Sequence, residues 1–220
     1  MNRALRFYST SIGKKVAMGL TGLIWVGFVI GHMTGNLLVL RGREEINAYS
    51  EFLKSTGELL WLARAVLAGA LLLHVAAAVQ LTLHNRAARP VGYVRRESQI
   101  ATVASRTMRW GGALLLVFIV LHILHFTTGT IRPAGMFIAT DVYANVVSSF
   151  KVWWVAAFYV VSMVALAFHL YHGVWSSVRS LGLAQPSADP LHRRFALIVA
   201  VIVWLGFTIV PVAVMAGWVG

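Results

Sequence analysis

Five runs of apolar residues constrain this chain more than any other feature: approximately 16–40, 59–84, 108–128, 152–175 and 195–219. Each can cross about 30 Å of hydrocarbon at about 1.5 Å per residue, and in lipid such a run must satisfy its own backbone as a helix. The sequence therefore predicts an all-α integral membrane bundle of five transmembrane helices, one membrane domain over residues 1–220. The first run exceeds a signal-peptide core, and no small-x-small cleavage pattern ends it, so it is retained as a helix. Only 12% of the residues are charged and 59% are apolar, whereas a soluble chain carries roughly 25% charge.

The chain has no cysteine. That excludes disulfide scaffolds, thiolate zinc sites, iron–sulfur clusters held by this chain and covalent c-type haem attachment. A net charge of +12 could suit nucleic acid, but the basic residues lie between the apolar runs and form no aromatic-interleaved patch. They read as topology signals instead. One face holds Arg3, Arg6, Lys14, Lys15, Arg86, Arg89, Arg95, Arg96, Arg106, Arg109, Arg179, Arg193 and Arg194. The other holds Arg41, Arg43, Lys54, Arg64, Arg132 and Lys151 together with Glu44, Glu45, Glu51, Glu58 and Asp141. By the excess of positive charge on the cytoplasmic side, the amino terminus is inside and the carboxyl terminus outside. Pro90, Pro186 and Pro190 mark the inner loops and Pro133 an outer one, while Pro211 interrupts the last run and predicts a kink.

Chemistry concentrates in the histidines. Of the 8 in the chain, His32, His74, His122, His125, His169 and His172 fall inside predicted spans. An ionisable group in hydrocarbon needs a partner. No span has a central Asp or Glu, so a carboxylate proton relay lacks half its parts. Metal coordination would satisfy the imidazoles and leave only the second ring nitrogen to be paired. Helix rise converts position into depth: His32 and His122 lie roughly 9–12 Å from the outer boundary, and His74 and His169 roughly 9–15 Å from the inner one. Two planes, each with one histidine from each of two helices, match two stacked bis-histidine haems. His125 and His172 follow a proposed ligand by three residues and are kept as substitutes. Gly27, Gly31 and Gly35 strip side chains from the helix beside His32, leaving room for a flat macrocycle.

Several stretches carry a resemblance: "GHMTGNLLVLRG" followed by "INAYSEFL", "LLLH" in the second run, "FIVLHILH" in the third and "FHLYHGVWSSVRSLG" closing the fourth. Over nearly its whole length the chain resembles the five-helix, di-haem cytochrome b membrane subunit of succinate:quinone oxidoreductases, the succinate dehydrogenase and fumarate reductase family. The resemblance implies ligands at His32, His74, His122 and His169, an outer haem b on His32 with His122, and an inner haem b on His74 with His169. It implies a flavoprotein subunit and an iron–sulfur subunit docked on the cytoplasmic face, electron flow through both haems to menaquinone, and a place in the cell inner (plasma) membrane. Neither a catalytic residue nor a dicarboxylate site is expected on this chain. Lys14, Lys15, Arg106 and Arg179 are candidates for haem propionates, and Asn36, Glu51 and Glu58 for quinone. Some fumarate-reducing members have a glutamate where this chain has Ala167, and that departure favours succinate oxidation. The alternatives are the cytochrome b anchor of another quinone-linked dehydrogenase, whose histidines are usually spaced differently, and a haem-poor anchor or a transporter.

Overall fold

The computed structural model describes residues 2–88 and 102–220. Pro90, Arg89, Arg95 and Arg96, read above as parts of an inner loop, lie outside the described residues. Among the described residues, eight α-helices run in the order α1 (Arg3–Ser9), α2 (Ser11–Asn36), α3 (Arg43–Ser55), α4 (Glu58–Ala87), α5 (Val103–His122), α6 (Val142–Phe150), α7 (Trp153–Ser180) and α8 (Asp189–Met215). Helices α2, α4, α5, α7 and α8 are long and apolar enough to cross a membrane, and the chain is a multi-pass membrane protein. Large apolar side chains such as Leu72, Val117 and Ile198 stand exposed along them, as lipid-facing residues must. Exposed Trp61, Trp153 and Trp218 mark one end of the bundle and exposed Trp110 the other, where indole rings suit the membrane interface.

The five spans were legible, but their ends moved. Helix α8 begins at Asp189 rather than 195, because Pro190 sits in its first turn, where a missing N–H costs nothing. It then runs through buried Pro211 to Met215. Helices α4 and α7 extend past 84 and 175, to Ala87 and Ser180. Helix α2 passes at Asn36 into a 3₁₀ turn over Leu37–Arg41, and α5 passes at His122 into a π turn over Ile123–Thr127.

Two segments read as loops, around 41–58 and 129–151, contain α3 and α6. Neither has an apolar run of membrane-spanning length. Together they cap one end of the bundle. Gly42, at φ 116°, takes the chain out of the 3₁₀ turn into α3 in a conformation that favours glycine. Asp141 is the N-cap of α6, accepting from Ala144 N at 3.0 Å, and it also accepts from Asn47 Nδ2 at 3.0 Å and from the Arg43 guanidinium of α3. Lys54 Nζ donates to Ala139 O at 2.8 Å. Beneath this polar seam lies the largest apolar core, in which Val39, Ile46, Val147, Phe150, Val155 and Val214 are buried.

The Ala144 N–H, the Asn47 amide and the Arg43 guanidinium hold the Asp141 carboxyl below its ordinary range. A carboxyl whose folded pKa is depressed stabilises the fold above its unfolded pKa and loses that contribution as pH falls through the folded value. Asp141→Ala should therefore cost about 1–2 kcal/mol near neutral pH. The deficit relative to the parent protein should shrink below about pH 4. Thermal unfolding in detergent at the two pH values measures both.

Within the bundle, α7 packs on α8, α5 and α2, and α2 packs on α4, α7 and α8. A Cβ on Gly19 of α2 would lie 3.7 Å from Ser177 of α7, so small residues bring these two backbones close. Helix α4 flanks α2 and α5 flanks α7, but α4 and α7 share no comparable backbone interface, and neither do α2 and α5. That separation sets the geometry of the site.

Candidate functional site

Four histidines meet in two pairs, and each pair joins helices that do not pack on one another. His32 of α2 faces His122 of α5 with ring centroids 5.7 Å apart, and His74 of α4 faces His169 of α7 at 6.1 Å. Two imidazoles sharing one metal through nitrogens about 2 Å from it hold their centroids roughly 6 Å apart. The first pair lies toward the end capped by α3 and α6, and the second lies deeper. His122 is next to Tyr159 of α7, ten residues before His169 on the same helix, which separates the two levels by about 15 Å.

The deeper pair is prepared for a ligand on one side. His74 Nδ1 lies 3.1 Å from Met18 O and 3.2 Å from Thr21 Oγ1. The Thr21 hydroxyl donates its own proton to Ala17 O at 2.7 Å, so Nδ1–H donates to both oxygens and Nε2 is the nitrogen left for a metal. His169 Nδ1 is buried with no hydrogen-bond partner, an uncompensated polar atom in an apolar bundle. Glycines face both rings: a Cβ on Gly22 would lie 3.4 Å from His74 Cε1, and one on Gly112 would lie 3.9 Å from His169 Cε1. An apolar cavity of about 330 Å³ between α5 and α7, lined by Met108, Gly111, Leu114, Ala165 and Phe168, reaches His169.

At the capped level, His32 stacks on Phe28 with ring centroids 5.2 Å apart, and His122 on Phe118 at 5.6 Å. Cβ atoms on Gly27 and Gly31 would meet nothing within 4 Å, so these glycines leave open space along α2. Gly35 does not share it. A Cβ there would lie 2.5 Å from Tyr49 of α3, which fills that part of the face. Asn36 Nδ2 donates to His32 O at 2.7 Å and lies 3.3 Å from His32 Nε2, a longer contact that a metal at Nε2 would displace.

The two histidines kept as substitutes differ from the paired four. Both ring nitrogens of His125 are engaged, Nδ1 with Tyr159 Oη at 3.0 Å and Nε2 with Ser149 Oγ at 2.8 Å, so none is left for a metal. His172 packs edge-on to Trp175 at 5.9 Å, and its buried Nδ1 has no partner. Among the described residues no three His, Cys, Asp or Glu side chains converge, as a zinc site would need; a bis-histidine haem needs only two protein ligands.

Of the charged candidates, Lys14 donates to Ser9 O at 2.7 Å, and Arg179 lies 3.9 Å from the Asp189 carboxylate and over the Trp175 ring. Lys15 and Arg106 are exposed, on the same end of the bundle. Glu51 on α3 and Glu58 at the start of α4 are exposed on the capped end. Sequence reasoning missed Thr21, Ser149 and Tyr159. The available signal for Thr21 and Tyr159 was a hydroxyl inside an apolar span, which like a buried histidine must find a partner.

The chain is 26% identical over 194 residues, 87% of its own length and 89% of the relative's, to the succinate dehydrogenase cytochrome b558 subunit of Bacillus subtilis (strain 168). No family model matches the chain. No solved structure matches it significantly.

Proposed function

We propose that this chain, a cytochrome b membrane subunit of the succinate dehydrogenase type, holds two haems b and passes electrons through them from an iron–sulfur subunit to menaquinone. The observation that supports this reading best is the pairing of His32 with His122 and of His74 with His169 across gaps between helices that do not pack together. Four helices each contribute one imidazole, at two levels about 15 Å apart along the bundle.

Haem supplies a reversible one-electron change at its iron, and the protein supplies ligation, burial and local electrostatics. His74 and His169 would hold the inner haem through their imidazoles, with the Met18 carbonyl fixing the His74 tautomer. His32 and His122 would hold the outer haem in the same way. Apolar side chains exclude water around both. Lys14, Lys15, Arg106 and Arg179 lie at the end where the inner haem's propionates would need cations. Asn36 is the quinone candidate adjoining a ligand, through its bonds to His32, whereas Glu51 and Glu58 sit at the exposed rim. The basic residues of that same inner end orient the amino terminus inside and face a flavoprotein and an iron–sulfur subunit in the cytoplasm, with the chain in the plasma membrane. Dicarboxylate chemistry then belongs to the flavoprotein, and Ala167 favours succinate as the physiological donor.

The test is the assembled complex purified with both soluble subunits. Succinate should reduce the haems of this chain, and a menaquinone analogue should reoxidise them. Haems that stay oxidised while the soluble subunits turn over succinate with an artificial acceptor would overturn the assignment.

A further inference from the structure

Both ring nitrogens of His125 are hydrogen-bonded, and the proposed function gives it no work. It lies in the π turn directly after His122, 6% exposed, and shares a partner with the ligand: Tyr159 Oη is 3.0 Å from His125 Nδ1 and 3.4 Å from His122 Nδ1. Beyond it, His125 Nε2 meets Ser149 Oγ of α6 at 2.8 Å. A π turn interrupts the regular helix ladder and recurs at functional sites.

Resting on the di-haem reading, we propose that Tyr159 and His125 form a directed hydrogen-bond chain that orients His122 and sets the potential of the haem it binds. The direction follows from proton counting. If His122 gives Nε2 to iron, its Nδ1 carries the proton and donates to Tyr159 Oη. Tyr159 then donates its single proton to His125 Nδ1, which fixes the proton of His125 on Nε2, where it donates to Ser149 Oγ. No step in the chain has two donors or two acceptors facing each other. The ring of Tyr159 is packed by Phe118, Phe126, Phe150 and Phe158, with centroids 5.1 to 5.9 Å away, so this hydroxyl exchanges its partners for water poorly.

Donation from His122 Nδ1–H makes the imidazole a stronger base and favours the ferric over the ferrous state. Tyr159, by donating onward, becomes a better acceptor. Cutting the chain should therefore raise the potential of one haem and leave the other alone. Tyr159 and His125 are positioning residues, acting through His122.

The experiment is a redox titration of both haems in the purified complex, with haem counted per chain, for the parent protein, Tyr159→Phe and Ser149→Ala. The haem to follow is the one lost in His122→Ala. Tyr159→Phe should keep both haems and shift that one upward, with a changed ferric EPR signal, while the second haem stays put; Ser149→Ala should move it by less in the same direction. An unchanged or lowered potential in Tyr159→Phe would overturn the proposal. Should Tyr159→Phe fail to hold haem, Ser149→Ala decides by the same criterion. A parent protein without haem would instead overturn the di-haem reading, a distinct outcome seen before any variant is made.

Discussion

Alanine at His169 should remove one haem of two, and alanine at His74 should remove the same one. Alanine at His32 or at His122 should remove the other. This expectation rests on the 6.1 and 5.7 Å separations of the ring pairs: a haem held between two imidazoles would be poorly retained in an apolar slot once either is removed. Combining two replacements within a pair should do no more than either alone, whereas combining across pairs should empty the protein. His125→Ala should retain both haems, because that ring's nitrogens are spent on Tyr159 and Ser149. The haem stoichiometry of purified variants measures all of these. Loss of the same haem from His32→Ala and His74→Ala would refute the pairing.

Leucine at Gly22 should empty the deeper site without touching any ligand. A Cβ there already lies 3.4 Å from His74 Cε1, and two further branches would have to occupy the space of the imidazole. Either the ring rotates away from His169, breaking its bonds to Met18 O and Thr21, or α4 moves off α2, its main support. Overpacking a close interface costs typically 1–3 kcal/mol. Displaced ligand geometry should weaken haem retention by at least the 10–100-fold typical of lost supporting contacts. Leucine at Gly112 should act on the same site through His169, and more mildly, because its Cβ starts 3.9 Å away. Both variants should spare the haem at His32 and His122, as haem counting and the difference spectrum would record.

The five spans were legible because hydrocarbon penalises short apolar runs, so length carries information on its own, and the same penalty on unpaired imidazoles is what singles out the span histidines as candidates. Depth alone suggested which histidines face each other, and the structure brings those rings within about 6 Å. Helices α3 and α6 were not legible as helices because they sit outside the lipid, where an amphipathic segment such as Arg43–Ser55 leaves no long apolar run to detect. The surroundings of His125 were illegible for a different reason. A spacing of three residues says that two side chains share a helix face, but the π turn after His122 breaks that rule and hands His125 to Tyr159 and Ser149. The glycines divide likewise: Gly27 and Gly31 open onto free space as their pattern suggested, while Gly35 is closed by Tyr49, a residue from an element the pattern did not reveal.

Binding of two haems through two cross-helix histidine pairs can be measured by quantifying haem b per polypeptide in the purified membrane protein, by pyridine haemochrome with the dithionite-reduced minus oxidised spectrum. Two haems b per chain are expected. A well-folded, correctly assembled protein that carries none would contradict it and leave the chain an anchor without a redox role.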